Sequence, residues 1–230
     1  MSQIVEVHEE HDEHHHHTDT AAHGRGDNSK LFFHVFRDDF GSKVGMWLFL
    51  FTEILLFGGL FFAYFKYRVA YPHEFHDAAL ELDLFMGTFN TLILLTSSLT
   101  MVLAIAAVQK DRKGWSLFWI FWTVACAFGF LINKYFEWSY KISHGIYPGS
   151  DHLAEMHKGE TVFFGLYYLM TGLHTLHVII GAIILAFCFV YVITGTINKD
   201  KYVVLENSGL YWHLVDLIWI FLFPLFYLLH

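Results

Sequence analysis

Charge is the scarcest thing in this chain: only 16% of its 230 residues are Asp, Glu, Lys or Arg, where a water-soluble domain carries roughly a quarter. Bases are the rarer sign, 14 against 22 acids, and no basic patch stands out, which excludes a nucleic-acid partner. The two cysteines, Cys126 and Cys188, both lie in apolar runs. They read as small core hydrophobes rather than a disulfide or metal pair, and the absence of a C-x-x-C-H stretch excludes a covalently attached haem. Prolines number three, and Pro224 alone falls inside a long apolar run. The first thirty residues hold no apolar core of the kind a cleavable signal peptide needs, so insertion is expected to be directed by the first span.

What the chain has in abundance is oil. Hydrophobic residues make up 55% and aromatics 19% of it, the balance of a membrane protein. Five apolar runs lie at about 44–66, 84–108, 115–138, 161–194 and 209–229, each with the roughly 20 residues that carry a helix across about 30 Å of hydrocarbon. The fold expected is an all-α integral membrane bundle of five transmembrane helices. Lys and Arg are biased toward the N-terminal segment and the second and fourth loops, which puts the N-terminus in the cytoplasm and the C-terminus outside. Residues 1–30, MSQIVEVHEEHDEHHHHTDTAAHGRGDNSK, form a polar, acid- and His-rich tail of disordered composition. Within it His14, His15, His16 and His17 are a weak metal-binding candidate. Residues 31–43 alternate apolar and polar side chains as an interfacial segment does, and 44–230 form the transmembrane domain.

The informative residues are the polar ones inside the spans, because a charge at mid-membrane costs about 2.5–3.5 kcal/mol on insertion scales. Glu53 sits about ten residues into LFLFTEILLFGGLFFAYF, with Phe49, Leu50, Leu56 and Phe57 as its i±3 and i±4 neighbours. Without a cation one turn away it reads as a neutral carboxyl. Either it is hydrogen-bonded to a neighbouring helix, or it handles protons or touches lipid. Gly45, Thr52 and Gly59 form a small-residue stripe suited to close helix contact. In the second span Gly87, Asn90 and Ser97 share a face and read as a packing seam. Lys134 and Glu137, three apart near the end of the third span, read as an interfacial ion pair. His174 and His177 lie on adjacent turns of the fourth span, as a weak metal pair or as two neutral imidazoles. Glu206, Gly209, His213 and Asp216 recur at three and four residues on one face of the fifth. Asp216 needs a partner, which His213, His174 or His177 could be, as a structural bridge or a proton relay.

The motifs together resemble one family. GSKVGMWLFLFTEILLFGGLFFAYF, FNTLILLTSSLTMVLA, FEWSYKISHGIYPGS, TGLHTLHVIIG and YWHLVDLIWIFLF occur in the order in which subunit III of the haem–copper respiratory oxidases carries similar segments, from about Gly41 to the C-terminus. Thr175 departs from the family's usual Gly between the two histidine positions. The chain also matches only the last five of the seven spans of long members, so that it resembles the short bacterial form. In some complexes of that form subunit I supplies the two extra helices.

The resemblance implies a non-catalytic subunit of a proton-pumping terminal oxidase that reduces O2 to water, in the bacterial cytoplasmic membrane. It implies no cofactor in this chain, haems and copper in partner subunits, and bound phospholipid. It implies packing against subunit I, with subunit II and a small subunit IV as further partners, and support of proton uptake and active-site stability. Glu53 matches the family's buried carboxyl near lipid, and Asn90, Glu137, His174, His177, Glu206, His213 and Asp216 complete a polar framework with no catalytic member. Three rivals stand beside this reading. One is an accessory subunit of a quinol oxidase or nitric oxide reductase. A membrane transporter or proton channel would be expected to show repeats and broken helices. A di-metal membrane enzyme would need about four to eight converging His or carboxylate ligands.

Overall fold

The computed structural model describes residues 39–150, 153 and 157–228. The His-rich tail, including His14 to His17, and residues 31–38 of the interfacial segment lie outside the described residues.

The described chain is helical, and five of its helices are long and apolar enough to cross a membrane. They are α1 (Asp39–Ala70), α3 (Leu84–Gln109), α4 (Lys113–Ser143), α5 (Lys158–Ile193) and α6 (Val203–Phe223), with a short helix α2 (Pro72–Leu80) between the first two. The helices overrun the apolar stretches read from the sequence. α1 begins at Asp39 rather than near 44, α4 runs on to Ser143, and α6 starts at Val203 rather than 209. Hydropathy marks where a helix leaves oil. Helical hydrogen bonds are internal to the segment and persist beyond that point.

Local chemistry sets the ends. Pro72 occupies the first turn of α2, where its missing N–H matters least. Asp83 caps α3, its Oδ1 accepting from the backbone N–H of Phe85 at 2.9 Å and of Met86 at 3.3 Å. After α4 and α5 the chain reverses through Gly145 at φ 76° and Gly195 at φ 77°, left-handed positions that glycine fills without strain. Pro224 ends the regular part of α6, and Pro224–Leu228 forms a π-helical turn.

α6 is the centre of the bundle and packs on α1, α3 and α5, while α4 packs on α3 and α5. The most apolar window of α6 is 61% buried inside the chain, against 17% for α1. α1 therefore leaves most of its oily surface for lipid or another subunit. The tightest crossings are at glycines. A Cβ on Gly181 would sit 2.8 Å from the Trp212 ring and one on Gly87 2.8 Å from the Tyr227 ring, so α5 and α3 approach α6 and its π-turn only because those positions are bare. The small-residue stripe of α1 differs from expectation. A Cβ on Gly45 or Gly59 meets nothing within 4 Å, and Thr52 is exposed, so among the described residues this stripe forms no close helix contact.

Candidate functional site

Among the described residues, three clusters built on charged or imidazole side chains interrupt the apolar core. The first joins α1 to α5. Glu53 Oε2 lies 2.9 Å from His177 Nε2, with side-chain exposures of 13% and 11%. His177 Nδ1 lies 2.7 Å from the Leu173 carbonyl. That oxygen can only accept, so Nδ1 carries a proton and the tautomer is fixed. Nε2 then meets the carboxyl in one of two ways: bare, accepting from protonated Glu53, or protonated, donating to the carboxylate. Either way one proton lies between the two groups. Tyr211 donates to the His177 carbonyl at 3.1 Å, and Phe57 packs edge-on against the imidazole, 5.5 Å between centroids. Beside the pair a groove of about 500 Å³ runs between α1, α5 and α6, lined by Ser42, Met46, Phe49, Ile184, Asn207 and Tyr211 among others.

The second cluster joins α3 to α6. Ser97 Oγ accepts from Trp212 Nε1 at 3.0 Å and donates to the Leu94 carbonyl at 2.7 Å. It also lies 3.4 Å from Asp216 Oδ2, while Asp216 Oδ1 has no hydrogen-bond partner among the described residues. His213 Nδ1 is 2.7 Å from Ser98 Oγ. Among the described residues none of the three candidate imidazoles meets Asp216. His213 projects to Ser98, His177 to Glu53, and serine from α3 meets Asp216 instead. Glu206 also leaves the expected common face and pairs with Lys43 of α1 at 2.9 Å. A helix face read from spacing is wide enough to address two neighbours.

The third cluster corrects the reading of Lys134 and Glu137 as an interfacial pair. They do pair, at 3.0 Å, but with side-chain exposures of 1% and 4%. Lys134 Nζ also donates to Tyr167 Oη at 3.1 Å and Tyr227 Oη at 3.0 Å, and both phenols donate to Glu137 Oε1. The ammonium lies 5.1 Å from the Trp219 ring centroid. Next to Lys134 in sequence, Asn133 Nδ2 donates to Asn90 Oδ1 at 2.7 Å. The two tyrosines were missed because their partners lie 30 and 90 residues away. The only local hint was a lysine and a glutamate in an otherwise apolar, aromatic run.

His174 stands apart. It is fully buried, tilted against Trp219 at 5.1 Å and edge-on to Phe130 at 5.5 Å, with neither ring nitrogen hydrogen-bonded among the described residues. The three histidines of the spans are engaged separately: His174 is boxed by aromatic rings, His177 is held by Glu53 and the Leu173 carbonyl, and His213 by Ser98. Among the described residues no three His, Cys, Asp or Glu converge as a metal-binding group. Cys188 is buried with Sγ 3.3 Å from Ser208 Oγ, and both cysteines are free.

Five apolar helices enclosing separate polar clusters define a membrane-embedded bundle whose polar groups join neighbouring helices. Residues 29–230 match the family model described as cytochrome c oxidase subunit III. The chain belongs to that family. It is 34% identical over 187 residues to cytochrome c oxidase subunit 3 of Thermostichus vulcanus, covering 81% of this chain and 86% of that one. It is 32% identical over 193 residues to the Schizophyllum commune protein of the same name, covering 81% and 67%. It is also 32% identical over 192 residues to the heme-copper oxidase subunit I+III of Aeropyrum pernix, covering 81% of this chain and 22% of that one. The chain thus spans about a fifth of the length of that fused relative.

Proposed function

We propose that this chain is the non-catalytic subunit III of a proton-pumping terminal oxidase in a bacterial cytoplasmic membrane, its N-terminus in the cytoplasm. It packs on subunit I, within reach of subunit II and a small fourth subunit. The haems and copper that reduce O2 to water reside in those partners. The observation that carries this reading is the family match across residues 29–230, reinforced by a relative whose name joins subunits I and III in one chain. The exposed apolar flank of α1, with Trp47, Phe51, Leu55, Phe62 and Phe65 turned outward and no described neighbour within 4 Å of a Cβ on Gly45, Gly58 or Gly59, is the surface offered to subunit I or to lipid.

The Glu53–His177 pair and its groove form the functional environment within the chain. The groove is apolar apart from that pair and the polar residues at its α6 end, so a phospholipid chain can lie along it. The proton held between carboxyl and imidazole stays exchangeable because both side chains remain slightly exposed. By keeping α1, α5 and lipid in register against the partner, the subunit supports proton uptake and preserves the active site through repeated turnover.

Deleting the gene for this chain, or stripping the chain from the purified complex, tests this. Oxygen reduction should start near its normal rate and then decay progressively during turnover, with restoration on adding the chain and phospholipid. An oxidase that keeps its full rate through prolonged turnover without the chain would overturn the proposal.

A further inference from the structure

A second cavity lies apart from the groove at Glu53. It lies at the opposite end of the bundle, in the corner between the α2–α3 connection and the last turns of α4, with a volume of about 830 Å³. Its walls divide by chemistry. Met86 and Phe136 supply apolar surface, and Glu81, Asp83 and Lys141 supply charge.

Lys141 is 5% exposed. Its ammonium has three donors, and among the described residues one is used, on the Glu81 carbonyl at 3.1 Å. The rings of Phe164 and Tyr167, at 5.8 and 6.0 Å, hold the cation from the inner side. The nearest buried carboxylate, Glu137, is taken by Lys134 and two phenols. Across the cavity Glu81 and Asp83 are exposed. Neither side chain forms an ion pair among the described residues, and Asp83 uses only Oδ1 in capping α3.

Depth completes the case. At 1.5 Å per residue, Lys141 lies about 20 Å from the midpoint of α4, some 5 Å beyond the edge of a hydrocarbon layer about 30 Å thick. That is the level of lipid phosphates. Phe136 and Met86 lie toward the acyl side of it.

We propose that this corner binds one phospholipid of the ethanolamine type, its phosphate on Lys141 Nζ and its ammonium between Glu81 and Asp83. A cation and two carboxylates lining one corner match a zwitterionic headgroup with N–H donors. Phosphatidylglycerol leaves both carboxylates unanswered, and phosphatidylcholine offers them a cation without donors. The apolar wall commits the site to a lipid rather than a free phosphate ester. This site is separate from the groove at Glu53 and independent of which complex the chain belongs to.

The test extracts the chain from its own membrane with whatever subunits accompany it and exchanges it into nanodiscs of phosphatidylethanolamine, phosphatidylcholine or phosphatidylglycerol. Phospholipid retained on the chain is then counted by native mass spectrometry. Phosphatidylethanolamine should be retained about tenfold better than either competitor, the scale of a charge-assisted hydrogen bond. The preference should fall to the phosphatidylcholine level in Glu81→Gln, and Lys141→Met should lose the lipid whatever its headgroup. Glu81 is exposed, so its variant folds even if Lys141→Met does not. Equal retention of the three lipids, or an unchanged preference in Glu81→Gln, would overturn the proposal. So would displacement by soluble glycerophosphoethanolamine, which would mean that the acyl wall plays no part.

Discussion

Replacing Lys134 by Met tests whether the buried cluster is a mutually dependent unit. In the wild type, the ammonium has three oxygen partners at 3.0–3.1 Å and is 1% exposed. At 3.0 Å and an effective dielectric near 20, its attraction to Glu137 is about 5–6 kcal/mol, set against a desolvation penalty of several kcal/mol for each ion. The pair therefore contributes little net stability. Removing one member leaves the other charged, buried and unpaired, at a cost of about 3–5 kcal/mol. Lys134→Met should be severely destabilised. Lys134→Met combined with Glu137→Gln should recover to within about 1 kcal/mol of wild type, because Tyr167 and Tyr227 can still donate to the amide oxygen. Cys188, 1% exposed, supplies the assay: its modification by a thiol-reactive fluorophore on heating reports loosening of the α5–α6 contact. A single variant as stable as wild type, or a double variant worse than the single, would refute the reasoning.

Other predictions concern packing and the pair at Glu53. Gly181→Ala places a Cβ 2.8 Å from Trp212 and should cost about 1–3 kcal/mol in the same thermal assay, whereas Gly58→Ala, with nothing within 4 Å, should leave the chain's own stability unchanged. If Gly58→Ala nevertheless lowers the yield of assembled complex, that face of α1 is a subunit contact; an unchanged yield places it against lipid. Ser97→Ala removes the acceptor of Trp212 Nε1 and the partner of Asp216 and should cost about 1–3 kcal/mol, read again by Cys188 exposure. A hydrophobic carbodiimide should label Glu53 before other carboxyls, and Glu53→Gln should abolish labelling while the subunit assembles normally. Failure of that variant to assemble would show that an ionised Glu53 holds the structure together.

The five spans were legible because burial in oil selects composition over some 20 residues, a signal that survives without knowing any partner. Their ends were not: Asp39, Ser143 and Val203 lie past the point where hydropathy stops reporting, although the helix continues. The amphipathic stretch of α2 between Pro72 and Leu80 was too short and too polar to register as a span. Within the candidate site, residues that are expensive in oil, Glu53, His177 and Asp216 among them, were readable one at a time. Their pairing was not. Glu53 meets His177 across 124 positions of sequence and Ser97 meets Asp216 across 119, and periodicity fixes a helix face without fixing which neighbour faces it. The Lys134–Glu137 pair shows the same limit: the i,i+3 spacing was correct, but only tertiary packing reveals that α5 and the π-turn close over it.

The central claim is that this chain is a scaffold leaning on a redox partner. Isolation of the chain from its native membrane under mild detergent, with a reduced-minus-oxidised haem spectrum and a subunit inventory of what accompanies it, tests that most directly. The account predicts a haem-bearing subunit in stoichiometric amount and no haem left on this chain once the two are separated. Recovery of this polypeptide by itself, or haem that stays with it after separation, would contradict the account.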